Sequence, residues 1–279
     1  MRLRSLLFVP GDRPDRMVKA LQAGADALIL DLEDSVTPTK KAEARKAVAD
    51  FLARPRSTKL FVRVNPQGTE DDLAAVLPGR PDGLVLPKAV GATSVAALDR
   101  QLAGAPIPIL PIATETAAAV FALGDFASVA QQLCGLTWGA EDLSAAIGAS
   151  AAREDDGRFT APFEMVRSLA LFAAHAAGVP AIETVYPALK DEAGLAVYAV
   201  RGHRDGFSGM LALHPAQVPV INAAFTPDAA TIADARSLIQ AFEQASGSGV
   251  FAHRDRMVDA AHLAQARQIL ARAGEMGAK

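Results

Sequence analysis

The chain alternates short apolar runs with longer segments of helical periodicity. Each run is rich in Val, Leu and Ile and is followed by a polar turn, which is typical of a parallel sheet covered by helices. The predicted strands are Ser5–Pro10, Ala27–Asp31, Leu60–Asn65, Gly83–Lys88, Ile107–Thr114, Gln132–Trp138, Ala181–Tyr186 and Gly209–His214. Eight strands of this kind predict an α/β fold, a (β/α)8 TIM barrel.

Helical segments lie between these strands and continue beyond the last one. The clearest are Pro38–Leu52, Ser94–Ala103, Pro162–Ala177 and Leu189–Arg201. After the eighth strand come a helix from about Ala229 to Ala245, a Ser-Gly-Ser-Gly linker at Ser246–Gly249, and a last helix from about Ala260 to Ala273. We therefore expect a barrel with the active site over 1–222 and a C-terminal helical extension over 223–279. The extension is surplus to the barrel, so it packs outside it or on a neighbouring subunit.

Composition narrows the class of protein. The 279 residues are close to the length of one barrel, roughly 250 residues, and the net charge of -3 with no run of Lys or Arg argues against a nucleic-acid partner. The first apolar run, Leu6–Pro10, is too short for a signal segment or a membrane span. Cys134 is the single cysteine and is expected to be a core residue. We expect a cytoplasmic enzyme without a membrane partner.

Polar and charged residues gather where the predicted strands end. In a parallel barrel the carboxyl ends of the strands form one rim, and the active site is built there. The residues at these ends are Asp31, Glu33, Asp34, Arg63, Asn65, Lys88, Glu115, Glu141, Asp142 and His214. Any one of the acids is also an ordinary residue at the start of a helix. Several acids on one rim repel one another unless a cation neutralises them, so the pattern predicts a bound divalent metal ion.

Magnesium suits a rim of this kind. It typically takes one or two carboxylates and fills its other positions with water and substrate oxygens, which matches Glu115 from the fifth strand and one acid from the sixth. Glu141 and Asp142 are adjacent, so in extended backbone their side chains point to opposite faces. The residues alone leave the choice between them open.

Seven motifs resemble, in the same order, those of a known enzyme family. They are Arg4–Gly11 (RSLLFVPG), Leu30–Val36 (LDLEDSV), Phe61–Asn65 (FVRVN), Leu86–Lys88 (LPK), Glu115–Ala117 (ETA), Gly139–Leu143 (GAEDL) and Leu213–Val218 (LHPAQV). The set resembles the HpcH/HpaI aldolase/citrate lyase family, and specifically its CitE-like CoA-ester lyases. The resemblance covers the chain from Arg4 to the terminal helix.

The resemblance implies a metal site and a reaction. It implies a barrel that assembles as a homotrimer or hexamer, with magnesium (Mg2+) bound by Glu115 and Asp142 and, through water, by Glu33 and Asp34. The implied reaction cleaves or forms the carbon–carbon bond between the acyl unit of a CoA thioester and a 2-oxo acid, as in citramalyl-CoA, malyl-CoA or citryl-CoA. Arg63 is then expected to stabilise the enolate of the thioester.

The resemblance also assigns a CoA-binding role near the N-terminus. Arg13 and Lys19 match positions that bind the phosphates of CoA, although both are also ordinary surface cations on a first helix. Lys40, Lys41 and Arg45 are weaker candidates for the same role.

A further implied residue is Asp259, in the extension. It matches the acid that moves the proton on the acyl carbon, and in the family the tail that carries it is lent to the next subunit. An Asp directly before Ala260 is also what a helix N-cap looks like.

Two positions depart from the family pattern. The chain has Gly209-Met210 where members commonly carry Gly-Lys, and Glu183 where a shorter Asp is usual. Relatives with the same pattern include thioesterases and citrate lyase beta subunits. Two alternatives to a stand-alone lyase therefore stay open: a hydroxyacyl-CoA thioesterase, and a citrate lyase beta subunit that acts only with partner chains.

Overall fold

The computed structural model describes residues 1–244, 250–254 and 256–274, which fall into two compact units. One comprises residues 3–223, and the other comprises the described residues from Ala224 onward. The predicted linker at Ser246–Gly249 lies outside the described residues. Within the described ranges, no helix has the length and apolar character needed to cross a membrane.

Eight parallel strands form the sheet of the first unit. Most of their side chains are buried on both faces, as expected for strands covered by helices. The strands are β1 Ser5–Pro10, β2 Ala27–Asp31, β3 Lys59–Arg63, β4 Gly83–Leu86, β5 Ile109–Pro111, β6 Leu136–Thr137, β7 Ala181–Glu183 and β8 Gly209–Ala212. Their order is β5-β4-β3-β2-β1-β8-β7-β6.

Backbone hydrogen bonds between the β5 and β6 regions bring the two edges of the sheet together. The N–H of Ala113 donates to the carbonyl of Thr137 at 2.9 Å, and the N–H of Cys134 donates to the carbonyl of Ile109 at 3.0 Å. The sheet is thereby a nearly closed barrel. The predicted (β/α)8 fold is confirmed.

Helices follow most of the strands and cover the barrel. They are α1 Pro14–Ala20, α2 Lys41–Leu52, α3 Thr69–Val76, α4 Gly91–Gln101, α5 Ala117–Phe121, α6 Glu141–Ile147, α7 Ala161–Ala176, α8 Glu192–Asp205 and α9 Gln217–Ala224. Amphipathic spacing explains their packing. In α2, for example, the buried residues are Ala44, Val48, Phe51 and Leu52, at positions i, i+4, i+7 and i+8.

The barrel interior is a packed core. Its buried cluster contains Leu6, Ala27, Ile29, Phe61, Val85, Leu110, Ile112, Ile182 and Leu211. Gly83 makes room for the ring of Phe61, because a Cβ at that position would lie 2.3 Å from Phe61 Cε1. Cys134 packs against the same cluster, and burial raises the pKa of its thiol to about 12. The thiol is therefore a core group, as expected, and not a nucleophile.

Several element boundaries differ from the sequence prediction, and two of the differences have a local cause. β6 begins at Leu136 rather than Gln132, because a 3-10 segment occupies Leu123–Gln132. α8 begins at Glu192 rather than Leu189, because the Asp191 side chain caps it by accepting a hydrogen bond from the N–H of Gly194 at 2.9 Å.

The second unit contains a strand pair that the sequence analysis does not predict. Its helices, α10 Ala229–Gln244 and α11 Ala260–Arg272, begin where expected. Between them lie the antiparallel strands β9 Val250–His253 and β10 Arg256–Asp259. The extension is thus a helical pair with a hairpin.

Candidate active site

A cavity of about 340 Å³ lies at the carboxyl ends of the barrel strands. Its charged lining consists of Arg16, Asp31, Arg63, Glu115, Glu141 and Asp142. Its apolar lining includes Phe8, Ile112, Trp138, Val185, Leu211 and Leu213. We call it the mouth cavity. Charged side chains beside an apolar wall are the usual features of a small-molecule site.

Glu115 and Asp142 form a carboxylate pair in the mouth cavity. Glu115 follows β5 and is buried, whereas Asp142 lies in the first turn of α6 and is partly exposed. Burial, followed by the hydrogen bond shared with the Asp142 carboxyl, raises the pKa of Glu115 to about 8. Glu141 lines the cavity too, but the carboxyl group that reaches Glu115 is that of Asp142. Two carboxyl groups within hydrogen-bond distance of each other favour a shared proton or a bound cation.

Lys88 connects this pair to the acidic turn after β2. Its backbone N–H donates to Glu115 Oε2, and its Nζ lies 2.7 Å from Glu33 Oε1 and 3.6 Å from Asp142 Oδ1. The φ angle of Lys88 is 52°, a left-handed conformation that non-glycine residues rarely adopt. Burial opposes the charge, but the hydrogen bond with Glu33 and the negative charges of Glu33, Glu115 and Asp142 together raise the pKa of Lys88. The sequence analysis names Lys88 at a strand end and assigns no role to it.

Arg63, at the end of β3, is held rigidly. Its Nε and Nη2 each donate to an Asp31 carboxylate oxygen at 2.7 Å, and its guanidinium carbon lies 4.8 Å from the centre of the Phe8 ring. Burial would lower the pKa of Arg63, but the hydrogen bonds to Asp31 and the charges of Asp31, Glu33 and Asp34 together raise it. Burial would raise the pKa of Asp31, but the hydrogen bonds and the charge of Arg63, with two backbone N–H donors, together lower it. Asp31 is therefore the partner of the arginine.

The acidic turn, Glu33 and Asp34, faces both cations. Arg63 Nη1 lies 3.0 Å from Glu33 Oε2, a contact outside hydrogen-bond geometry, so this buried oxygen has no hydrogen-bond partner. Asp34 Oδ2 lies 3.9 Å from Arg63 and 3.8 Å from Lys88, and its side chain is exposed. Burial raises the pKa of Glu33. Lys88 thus connects both acids to Asp142 of the carboxylate pair.

The donor set fits magnesium. Among the residues that the structure describes, no three His, Cys, Asp or Glu side chains are grouped to hold a metal on their own. A structural zinc site, which needs four protein ligands, is absent from those ranges. Magnesium needs only one or two carboxylates because it keeps water and substrate oxygens. Glu115 and Asp142 supply that number.

A second cavity of about 470 Å³ lies beside α1, and Arg13 and Lys19 are among its lining residues. Arg13 pairs with Asp15 at 3.0 Å on the surface, and Lys19 is exposed. Arg16 lines both this cavity and the mouth cavity, and the sequence analysis did not single it out. His214, which it did name at a strand end, also lines the second cavity.

The three weaker CoA candidates make contacts within the protein. Lys41 Nζ donates to the carbonyls of Leu32 and Glu33 at 2.6 and 2.7 Å, which supports the acidic turn from behind. Arg45 pairs with the buried Asp72 at 2.7 Å. Lys40 lies 3.5 Å from Asp12.

Asp259 belongs to the second unit, where it caps α11. Its Oδ1 accepts hydrogen bonds from the N–H groups of Ala261 and His262 at 3.0 and 3.3 Å, and the His262 side chain completes a capping box. The hydrogen bond with the His262 side chain lowers the pKa of Asp259. The capping interpretation is confirmed, and the catalytic assignment stays a prediction.

Comparisons with known proteins cover nearly the whole chain. The family model described as HpcH/HpaI aldolase/citrate lyase matches residues 4–215. A citrate lyase subunit beta-like protein of Mycobacterium tuberculosis is 38% identical over 96% of this chain and 95% of that protein. A (3S)-malyl-CoA thioesterase of Cereibacter sphaeroides is 35% identical over 99% of this chain and 96% of that protein.

A solved structure shows the same fold. It is the protein CitE from Mycobacterium tuberculosis in complex with magnesium, acetoacetate and coenzyme A, with a TM-score of 0.83 and 36% sequence identity. The match covers 98% of this chain and 99% of that chain.

Proposed function

The chain belongs to the HpcH/HpaI aldolase/citrate lyase family, and on that premise we propose that it is a magnesium-dependent carbon–carbon lyase of CoA esters. It cleaves a 3-hydroxyacyl-CoA, such as citramalyl-CoA, malyl-CoA or citryl-CoA, into an acyl-CoA and a 2-oxo acid, or it catalyses the reverse condensation. The observation that carries this proposal is the Glu115–Asp142 pair beside a fixed arginine, Arg63, in one cavity. The magnesium, acetoacetate and coenzyme A in the solved relative support it.

Glu115 and Asp142 would hold the magnesium ion, and Glu33 and Asp34 would contribute through water. The bound ion would act as a Lewis acid on the carbonyl of the oxo acid. The N–H of Lys88 fixes one oxygen of Glu115, so that carboxylate keeps its orientation through the reaction. Preorganised ligands of this kind need no rearrangement when charge develops.

Arg63 stabilises the negative charge that develops on the thioester oxygen as the enolate forms. Asp31 holds the Nε and Nη2 groups, so the guanidinium cannot rotate away from the cavity. A fixed cation is more effective than water in a site with an apolar wall.

The acyl carbon needs a group that gives or takes a proton, and we assign this role to Asp259. The assignment requires an assembly in which the second unit of a neighbouring chain reaches the mouth cavity, which a homotrimer or hexamer would provide.

Arg13 and Lys19, which line the second cavity, bind the phosphates of CoA.

Hydrolysis of the thioester is the second candidate, since a similar protein of nearly the same length is a (3S)-malyl-CoA thioesterase. Product analysis separates the two functions. The purified protein is incubated with candidate CoA esters and magnesium, and acyl-CoA, free CoA and 2-oxo acid are quantified.

We expect acyl-CoA and oxo acid in equal amounts, with loss of both on addition of a chelator. Glu115→Gln, which keeps the side-chain volume and removes the charge, serves as the inactive control. Free CoA without an oxo acid would instead establish hydrolysis. Activity only with added partner chains would indicate a citrate lyase beta subunit.

A further inference from the structure

Trp138 is the only tryptophan of the chain, and it is among the residues that line the mouth cavity. The side chain is fully buried and follows β6 directly. It also precedes Gly139, the first residue of the turn that leads to Asp142. We refer to residues 139–142 as the metal turn.

A buried carboxylate holds the edge of the indole. Trp138 Nε1 donates to Glu183 Oε1 at 2.6 Å, and the backbone N–H of Thr184 donates to the same oxygen at 2.9 Å. The other oxygen of Glu183 accepts from Arg167 Nε at 2.7 Å. Glu183 is fully buried and Arg167 nearly so. Hydrogen bonds must offset the cost of burying an ion pair. Here the carboxylate accepts three hydrogen bonds on its two oxygens, and Arg167 Nη1 also donates to Asp205 at 2.8 Å.

A second contact of the indole is with an aromatic ring. The ring centres of Trp138 and Phe159 are 5.0 Å apart with the planes at 60°, and the guanidinium of Arg153 lies 3.8 Å from the Phe159 ring centre. The indole is thus restrained by a hydrogen bond at its N–H and by ring packing.

The metal turn is packed closely against Glu115. The hydroxyl of Thr114 accepts a hydrogen bond from the N–H of Gly139 at 3.0 Å and donates to its carbonyl at 3.1 Å. A Cβ at Gly139 would lie 2.9 Å from Glu115 Cγ. A small displacement of the strand end at Trp138 therefore changes the separation of Glu115 and Asp142.

We propose that Glu183 and Arg167 are positioning residues that act through Trp138 to fix the metal turn against Glu115. The buried ion pair restrains the indole, and the indole restrains the turn that follows it. The pair therefore affects the geometry of the site as well as the stability of the fold. This inference rests on the proposed function for the role of Asp142, and its structural part is testable without substrate.

The test uses Glu183→Gln, which keeps the size of the side chain and one acceptor oxygen. The other oxygen becomes an NH2 group, which cannot accept the hydrogen bond from Trp138 or Arg167. Asp26→Asn is the matched control, because Asp26 pairs with Arg4 through two hydrogen bonds of 2.9 and 2.7 Å at the amino-terminal ends of β1 and β2. The control removes an Asp–Arg pair that contacts neither the indole nor Arg167. Trp138→Phe is a second variant, which keeps an aromatic ring and removes the N–H.

Three readouts apply. We expect Glu183→Gln to shift the fluorescence emission of Trp138 and to reduce the hydrogen-exchange protection of the metal turn. We also expect about a 10- to 100-fold loss of magnesium affinity, as for other groups that orient metal ligands. Trp138→Phe should lose protection and affinity to a similar extent, while Asp26→Asn changes none of the three.

Unchanged exchange and unchanged magnesium affinity in a folded Glu183→Gln or Trp138→Phe protein would overturn the proposal. Equal losses in Asp26→Asn would also overturn it, since they would show a general effect of lost ion pairs. A wild-type protein without lyase activity would refute the proposed function, yet the exchange measurement would still decide whether the ion pair orders the turn.

Discussion

Replacing Arg63 with lysine tests whether its fixed guanidinium acts on the transition state. The two hydrogen bonds to Asp31, both 2.7 Å, become one at most, because an ammonium lacks the planar fork. A hydrogen bond to a charged group is worth about 1.5–3 kcal/mol, so we expect the free energy of unfolding to fall by about 2 kcal/mol. Removal of one preorganised donor costs on the order of 100- to 1000-fold in turnover, and we expect a loss of about 100-fold in kcat.

Arg4→Lys is the matched control. Arg4 also binds an aspartate, Asp26, through Nε and Nη2 at 2.9 and 2.7 Å, but it lies just before β1, away from the carboxyl ends of the strands. Urea unfolding should show a comparable loss of stability for both variants. Steady-state kinetics should show a loss of kcat for Arg63→Lys alone.

Two results would refute this reasoning. If KM rises and kcat stays constant, Arg63 anchors the substrate and does not act on the transition state. If Arg4→Lys loses as much turnover as Arg63→Lys, the effect follows from stability and not from the site.

Two further variants test the other parts of the site. Gly139→Ala should weaken magnesium binding, measured by calorimetry, because its Cβ would lie 2.9 Å from Glu115 Cγ; Gly124→Ala, with nothing within 4 Å, should have no effect, and equal effects would contradict the close-packing argument. Asp259→Asn should keep its thermal stability, because Asn caps a helix about as well as Asp, but should lose turnover because an amide cannot take up a proton. Full turnover in that variant would leave Asp259 as a helix cap alone.

The barrel could be predicted because each strand is a local apolar run. β1 and β2 have the predicted bounds, since Ser5–Pro10 and Ala27–Asp31 are flanked by polar turns that end the pattern. The rim could be predicted for the same reason, because a parallel barrel brings all carboxyl ends to one side. The hairpin of β9 and β10 could not, since neither Val250–His253 nor Arg256–Asp259 is a continuous run of Val, Leu and Ile.

Other features depend on contacts between distant residues. Lys88 contacts both Glu33 and Glu115 from a backbone with a positive φ angle. The sequence does not indicate this backbone conformation for a lysine. The hydrogen bond between Trp138 and Glu183 joins residues 45 positions apart. The choice of Asp142 over Glu141 depends on how the first turn of α6 is oriented toward Glu115. Tertiary packing determines each of these contacts, and the periodicity of the sequence does not predict them.

Magnesium titration of Asp142→Asn and Glu141→Gln tests the central claim most directly, because the two residues are neighbours on one turn. Isothermal calorimetry on the purified variants gives the affinity, and the same samples give the turnover. We expect Asp142→Asn to lose both magnesium binding and activity, and Glu141→Gln to keep both. Normal binding in Asp142→Asn, with loss in Glu141→Gln, would contradict the assignment of the metal to Glu115 and Asp142.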